Sequence, residues 1–188
     1  MLEFDEPTHV YRWNGAIVPS VTQIIRAALG NPFEFVSEAV LDHKRKIGVA
    51  AHKAVELDSQ GVLDDETVHP LVMPYLVAWR QFREQWPCEI LDSEAKMYSG
   101  TYGFAGTPDL FAKLHDGSYC VIDLKTGLPG PQAAIQTAAY ANFVEATRRF
   151  ALQARNDGKY RLTEYTNPSD WPDFLACLRI FRLKESAK

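Results

Sequence analysis

Alternating apolar and polar residues near the N-terminus predict a β-hairpin. Its two strands cover residues 9–13 and 16–18, and the Asn14-Gly15 pair between them favours the type I′ turn that fits the twist of the strands. Ser20 follows at a position where it can act as an N-cap. We therefore expect a short helix from Ser20 through about Leu29.

Helical patterns continue over four later stretches. They cover about 34–59, about 67–86, some 20 residues from Gln132, and 168–181. The first ends at Gly61, as a glycine after a helix suggests. The start of the second stays open, because Pro70 and Pro74 fit the first turns of a helix better than its middle.

Strand signals fill the stretches between these helices. Three runs cover 89–98, 104–114 and 118–125, and a fourth covers 160–165. Helices, three strands, a helix, a strand and a helix predict an α/β fold of the mixed-sheet (α+β) type, with a central antiparallel meander flanked by helices.

No internal repeat and no change of composition divides the chain. We therefore expect residues 1–188 to form a single domain. Its core motifs span about 45–145. The N-terminal hairpin and helix take up 1–33, and the C-terminal strand and helix take up 159–182.

The turn between the second and third strand runs decides which side chains share a face. A two-residue turn would direct Asp109 and Asp123 to opposite faces of the hairpin. A three-residue turn over 115–117, with the glycine left-handed, pairs Leu114 with Ser118 and places the aspartates opposite each other. The second register keeps carboxylates off the apolar face, so it is the predicted one.

In that register the two aspartate side chains start about 5 Å apart, and Lys125 shares the face of Asp123. Such carboxylates repel unless a proton or a cation lies between them. Oxygen ligands suit Mg²⁺ or Mn²⁺, which activate water and stabilise charge on a phosphate. Lys125 would orient or deprotonate the water, or neutralise the transition state. The pattern points to phosphodiester hydrolysis, although Asp-x-Lys alone also fits an ordinary ion pair.

The overall charge narrows how nucleic acid could bind. The 20 Lys and Arg residues against 24 Asp and Glu give a net charge of −4 and a pI near 5.7. Binding would therefore need divalent cations or a local basic surface. Two stretches are candidates for such a surface: Lys44–Lys46 with Lys53, and the basic residues within 148–161. Each of them fits an ordinary solvated face equally well.

The sequence lacks the motifs of several other classes of protein. The three cysteines lie far apart, which argues against a zinc or iron–sulfur site, and no Gly-x-x-x-x-Gly-Lys-Ser/Thr motif is present for ATP. No apolar run is long enough for a membrane span, and the N-terminus does not resemble a secretion signal. We expect a soluble protein of a reducing compartment.

Together these residues resemble a known family. Pro108-Asp109 and Asp123-Leu124-Lys125 resemble the signature of the PD-(D/E)XK nuclease superfamily. Four further features resemble its RecB-like and lambda-exonuclease-like branch. They are Gly48-x-x-x-His52, a glutamate at Glu94 (Glu89 is less well placed), Thr126-Gly127, and Gln136-x-x-x-Tyr140. The resemblance covers about residues 45–145.

The resemblance implies a restriction-endonuclease-like core, one or two Mg²⁺ or Mn²⁺ ions, and roles for particular residues. The implied metal ligands are His52, Asp109, Asp123 and the Leu124 carbonyl. The implied catalytic residues are Lys125, Asp123, Asp109 and Glu94. Substrate would be bound by Gln132, Gln136, Tyr140, Lys53 and Thr126. Glu56 would orient His52 without binding the metal itself. From the residues alone, His52 also fits a packed core histidine, and the Gln132–Gln136–Tyr140 face fits the polar side of a helix.

The function implied is a divalent-metal-dependent DNA exonuclease of the kind found in phage or prophage recombination and repair. It would work in the cytoplasm of a bacterial or phage-infected cell, without ATP and without a membrane. A homo-oligomer and a single-strand annealing protein are the implied protein partners. The alternatives are a catalytically silent nucleic-acid-binding or scaffold protein on the same fold, and a structure-specific or RNA-directed endonuclease.

Overall fold

The computed structural model describes residues 1–31 and 36–187. Its N-terminal strands, β1 (Leu2–Asp5), β2 (Val10–Trp13) and β3 (Ala16–Val18), form an antiparallel sheet in that order. Asn14 and Gly15 have φ of 49° and 83°, as a type I′ turn requires, so the predicted hairpin is confirmed. Strand β1 was not predicted from the sequence.

Helix α1 (Val21–Leu29) starts where the sequence predicts. The Ser20 hydroxyl accepts a hydrogen bond from the Gln23 amide, and the Gln23 side chain accepts one from the Ser20 amide at 3.0 Å. This capping box satisfies two backbone donors at the start of the helix.

Helices α2 (Glu38–Ser59) and α3 (Met73–Gln85) follow, separated by one 3-10 turn at Asp65–Thr67. The predicted start of α2 at Glu34 lies outside the described residues. The predicted start of α3 at residue 67 is wrong. Pro74 occupies the first turn of α3, where its missing N–H costs nothing, and Pro70 precedes the helix.

A five-stranded mixed sheet forms the centre of the fold, in the order β10-β9-β8-β7-β4. The remaining elements, in chain order, are β4 (Cys88–Ser93), β5 (Met97–Ser99), β6 (Phe104–Gly106), β7 (Leu110–Leu114), β8 (Tyr119–Lys125), α4 (Gln132–Val144), β9 (Arg148–Ala154), β10 (Tyr160–Glu164) and α5 (Asp170–Ser186). Strands β4, β7 and β8 form the antiparallel meander, and α4 crosses over to β9, which pairs parallel to β8. The mixed α/β fold predicted from the sequence is confirmed.

Two strand runs are shorter than predicted. The run 89–98 breaks at Glu94, whose φ of 52° is incompatible with an extended strand, and the run 104–114 breaks at Thr107-Pro108. Because of these breaks, β5 and β6 are not part of the main sheet. They pair with each other in a separate two-stranded sheet.

The predicted helix of some 20 residues from Gln132 is also wrong in its second half. Helix α4 ends at Val144, Glu145 takes a left-handed conformation, and Arg148–Ala154 is a strand. Ala, Leu and Gln favour helices in isolation. Here pairing with β8 and β10 on both sides outweighs that preference.

The core lies on both faces of the main sheet. Alternate residues of β8, Cys120, Ile122 and Leu124, pack against α3, while Val121 faces α1, α4 and α5. Asp123 and Lys125 share the side of Val121 because side chains alternate along a strand. No helix in the described ranges is long and apolar enough to cross a membrane.

Candidate active site

The β7–β8 hairpin has the three-residue turn that the sequence predicts. The Leu114 amide donates to the Ser118 carbonyl at 2.9 Å, and Gly117 has a φ of 85°. The strand pairs follow the same register up to Leu110 opposite Ile122. One step further, Asp109 lies beside Asp123, and its Oδ2 accepts a hydrogen bond from the Leu124 amide at 2.6 Å.

Three side chains from distant parts of the chain meet at this end of the hairpin. The Nδ1 atom of His52, on α2, lies 3.3 Å from Asp109 Oδ1 and 3.4 Å from Glu94 Oε1. One potential ligand atom from each of the three residues lies within 4.8 Å of the others. We call His52, Glu94 and Asp109 the acidic–histidine cluster.

Close packing at Gly48 brings His52 to the cluster. A Cβ atom at Gly48 would lie 3.4 Å from Thr126 Oγ1, so the glycine lets α2 approach the end of β8. The spacing of four residues then sets His52 one turn further along the same helix face.

Glu94 reaches the cluster from a strained backbone. Its φ of 52° lies in the left-handed region, and its amide donates to the Asp109 carbonyl at 3.0 Å. A residue other than glycine in this region costs on the order of 1–3 kcal/mol, and such strain is concentrated at functional sites.

Asp123 and Lys125 form a second group beside the cluster. Asp123 is only 2% exposed, and Lys125 Nζ lies 2.7 Å from its Oδ2. Oδ2 is buried and has no hydrogen bond of normal geometry among the described residues, so this contact is ionic. Lys125 also donates to Gln136 Oε1 at 3.2 Å, and Gln136 Nε2 donates to the Tyr140 hydroxyl at 3.0 Å.

The pKa values reflect this dense arrangement of charge. Burial alone would lower the pKa of His52, but the carboxylates of Asp109 and Glu94 outweigh it and raise that pKa to about 10. Burial raises the pKa of Asp123 to about 6 against the opposing effect of Lys125. Burial would also raise the pKa of Asp109, but His52 and Lys125 hold it below its usual value.

The cluster opens into a cleft of about 690 Å³. On one side lie α2 and Asp109. On the other lies the N-terminal sheet, with Phe4, His9 and Tyr11. The Tyr11 hydroxyl is 2.6 Å from Thr107 Oγ1, two residues before Asp109. These aromatic residues carry no local sequence signal for the site, because only long-range packing places the hairpin over it.

The other residues named from the sequence occupy different positions. Lys53 pairs with Glu56 at 2.8 Å, and both line the cleft, whereas the partners of His52 are Glu94 and Asp109. Gln132 is the half-buried first residue of α4.

Tyr140 is 5% exposed and packs in the core between α1, α4 and α5. The hydroxyl accepts the Gln136 hydrogen bond, and the residue also lines the cleft. Its ring is therefore part of the interior as well as of the cleft lining.

The two basic stretches are largely paired within the protein. Arg148 contacts Glu164 at 2.7 Å and Arg149 contacts Asp170 at 2.8 Å, both across the end of the sheet. Lys46 pairs with Asp42 at 2.8 Å on α2. These internal ion pairs reduce the positive charge that either stretch can offer to a nucleic acid.

Comparisons with known proteins give only distant likenesses. No protein-family model and no curated protein sequence matches the chain. The crystal structure of SSO0001 is 15% identical with a TM-score of 0.40, over 89% of this chain and 84% of that one. LHK-Exo in complex with dAMP is 11% identical with a TM-score of 0.48, over 90% and 93%. Alkaline exonuclease LHK-Exo from Laribacter hongkongensis is 14% identical with a TM-score of 0.42, over 87% and 91%. At TM-scores below 0.5, these likenesses do not determine the function of this chain.

Proposed function

We propose that this protein is a divalent-metal-dependent nuclease that hydrolyses phosphodiester bonds in DNA, as an exonuclease. The observation that carries the proposal is the acidic–histidine cluster next to the buried Asp123–Lys125 ion pair. An imidazole and two carboxylates line a cleft, and a third carboxylate, that of Asp123, is buried beside them. An ordinary surface ion pair needs neither this convergence nor the burial.

The side chains present fit Mg²⁺ or Mn²⁺. Carboxylate oxygens are the ligands that Mg²⁺ prefers, and Mn²⁺ also accepts an imidazole nitrogen. Asp123 is a buried carboxylate whose one described charged contact, with Lys125, leaves it available as an oxygen ligand. His52, Asp109 and Asp123 would hold the ion, with Glu94 within the same cluster and the Leu124 carbonyl next to Asp123.

A divalent cation supplies an activated water and offsets negative charge on the phosphate when it is bound. The chain supplies the rest. The Lys125 ammonium, which contacts Asp123 and Gln136, would donate to a phosphate oxygen and offset charge in the transition state. The Tyr140 hydroxyl fixes Gln136, which in turn orients Lys125.

The finer parts of the proposal come from the sequence resemblance. DNA as the substrate, attack from an end, and a place in phage-type recombination and repair in the cytoplasm all follow from the PD-(D/E)XK-like motifs described above. A homo-oligomer and an annealing-protein partner belong to the same proposal. The internal pairing of the basic stretches favours binding through a bound cation over binding through surface charge alone.

Cleavage of labelled DNA tests the proposal. The purified protein is incubated with end-labelled linear duplex DNA and with closed circular duplex DNA, each in Mg²⁺, Mn²⁺ or EDTA. We expect metal-dependent loss of the linear DNA, intact circles, and no cleavage in EDTA. Nicked circles would replace the exonuclease by an endonuclease. Intact DNA in every metal, with RNA also intact, would favour the silent binding protein.

A further inference from the structure

Three aromatic rings of the N-terminal sheet form one wall of the cleft. The ring centroids of Phe4 and Tyr11 are 4.5 Å apart. The His9 ring meets each of them edge to face, at centroid distances of 5.1 Å and 5.8 Å. All three residues line the same cleft as the acidic–histidine cluster. We call Phe4, His9 and Tyr11 the aromatic wall.

His9 is the exposed member of the aromatic wall and is nevertheless held in place. Its φ of 53° is left-handed, and its amide donates to the Glu6 carbonyl at 3.3 Å within the turn between β1 and β2. The two T-shaped contacts fix the plane of the ring. An exposed ring that is already ordered loses little conformational entropy when a ligand stacks on it.

Tyr11 connects the aromatic wall to the reacting end of the cleft. The Tyr11 side chain is buried, and its hydroxyl is bonded to Thr107, two residues before Asp109. This hydrogen bond therefore links the aromatic wall to the segment that carries Asp109.

Charge in this part of the cleft favours a neutral, flat ligand group over a phosphate. The carboxylates of Glu6 and Glu94 line it. Its two lysines already have partners. Lys96 Nζ donates to the Glu94 carbonyl at 2.7 Å and lies over the Phe4 ring, and Lys53 pairs with Glu56. A nucleobase is the flat, uncharged part of a nucleotide, and bases stack on aromatic side chains in proteins that bind single strands.

We propose that the His9 ring is a stacking platform for one nucleobase of a single DNA strand, whose adjoining phosphodiester lies at the acidic–histidine cluster. The inference rests on the proposed nuclease function and defines its substrate further. The base must leave the duplex stack to reach the ring, so the preferred substrate is a single strand or a frayed duplex end.

Binding of two oligonucleotides of equal charge tests this inference without requiring cleavage. Fluorescence anisotropy, in Ca²⁺ without Mg²⁺ or Mn²⁺ and again in EDTA, compares a labelled (dT)8 with an octamer of abasic residues that carries the same phosphates. For the wild-type protein we expect (dT)8 to bind at least about fivefold more tightly, the effect of one stacked base. His9→Asn should remove most of that preference, because asparagine tolerates the left-handed backbone but has no ring.

Two further variants separate stacking from folding. His115→Asn changes another exposed turn histidine, at the opposite end of β7 from Asp109, and should keep the full preference. His9→Tyr, unlike His9→Asn, has an aromatic ring at this position and should keep part of the preference. Thermal melting of each variant checks that it is folded.

The inference is overturned if the wild-type protein binds both octamers equally or binds neither, or if folded His9→Asn keeps the preference. Its failure is distinct from failure of the nuclease proposal. Metal-dependent cleavage without base preference would remove the platform alone. Base preference that depends on His9, without cleavage in any metal, would remove the nuclease alone.

Discussion

At the scale of single residues, the site balances buried charges against one another. Asp109 and Asp123 are neighbours across the hairpin, and each has its own basic partner, His52 for the first and Lys125 for the second. Removal of one member of such a set leaves a buried charge without compensation, which costs several kcal/mol unless the group changes its protonation state. Variants that keep the volume of the side chain are therefore the most informative.

Lys125→Met should lower the rate of metal-dependent DNA cleavage by about 100-fold or more, because it removes the ammonium that we propose offsets the charge on the phosphate. Methionine keeps most of the buried stem. Single-turnover cleavage of a linear duplex measures the effect. Lys113→Met, on β7 over the Tyr119 ring, is the matched control and should cut like the wild type. A wild-type rate in Lys125→Met would remove Lys125 from the mechanism.

His52→Gln should raise the Mn²⁺ concentration needed for half-maximal cleavage by about tenfold or more, because it removes an imidazole from the acidic–histidine cluster. The melting temperature should fall further in Mn²⁺ than in EDTA, because in EDTA the loss is limited to the ion pairs of His52 with Asp109 and Glu94. His43→Gln, exposed on the same helix, should leave the Mn²⁺ dependence unchanged. Equal loss of stability with and without metal would make His52 a structural histidine instead.

At the scale of secondary-structure elements, glycines decide how closely the elements pack. A Cβ atom at Gly106, in β6, would lie 3.0 Å from Tyr140 Cε1 and 3.1 Å from Val21 Cγ2. The backbone of β6 therefore passes between α1 and α4 where a side chain does not fit. Strand β6 leads directly into Thr107 and Asp109, so this packing also positions the cluster.

Gly106→Ala should lower the free energy of unfolding by about 1–3 kcal/mol through overpacking. Gly100→Ala is the control, because a Cβ atom there meets nothing within 4 Å. For a chain of this length the difference corresponds to roughly 2–4 °C in melting temperature per kcal/mol. Equal melting temperatures for the two variants would show that the interior adjusts to a methyl group at Gly106.

Gly117→Val should also destabilise the protein, by about 1–2 kcal/mol, because a β-branched residue is strained at a φ of 85°. A Cβ atom there meets nothing within 4 Å, so the cost comes from the backbone alone. Urea denaturation of wild type and variant measures it. An unchanged midpoint would contradict the strained three-residue turn.

An element can be predicted from the sequence when the residues that determine it are close together in the chain. The hairpin at Asn14-Gly15, the cap at Ser20 and the register at Gly117 carry their information in a few adjacent residues, and all three are confirmed. Strand β9 carries a helical composition and becomes a strand only through its neighbours on both sides. Its residues gave no local warning of that.

The site divides in the same way. The proximity of Asp109 and Asp123 follows from the register of one hairpin, and the sequence predicts it. The proximity of His52 and Glu94 to Asp109 was suggested only by a family pattern, since it depends on tertiary packing at Gly48 and on a left-handed residue. The aromatic wall has no such pattern, and only the folded structure shows it beside the site.

At the scale of the whole molecule, a net charge of −4 has to be reconciled with the polyanionic substrate that we propose. Arg148, Arg149 and Lys46 each form an ion pair with a carboxylate of the same chain. The cleft brings together several acidic side chains and one open aromatic ring. This distribution fits a protein that engages DNA through a bound divalent cation and an unstacked base.

Anomalous diffraction from crystals grown with MnCl₂ would locate that cation, on which the proposed function depends. We predict an anomalous peak at the acidic–histidine cluster, about 2.0–2.6 Å from a His52 ring nitrogen and from a carboxylate oxygen of Asp109, with Glu94 or Asp123 completing the ligands. The absence of a peak there, in crystals of protein that cuts DNA with Mn²⁺ in solution, would contradict the account.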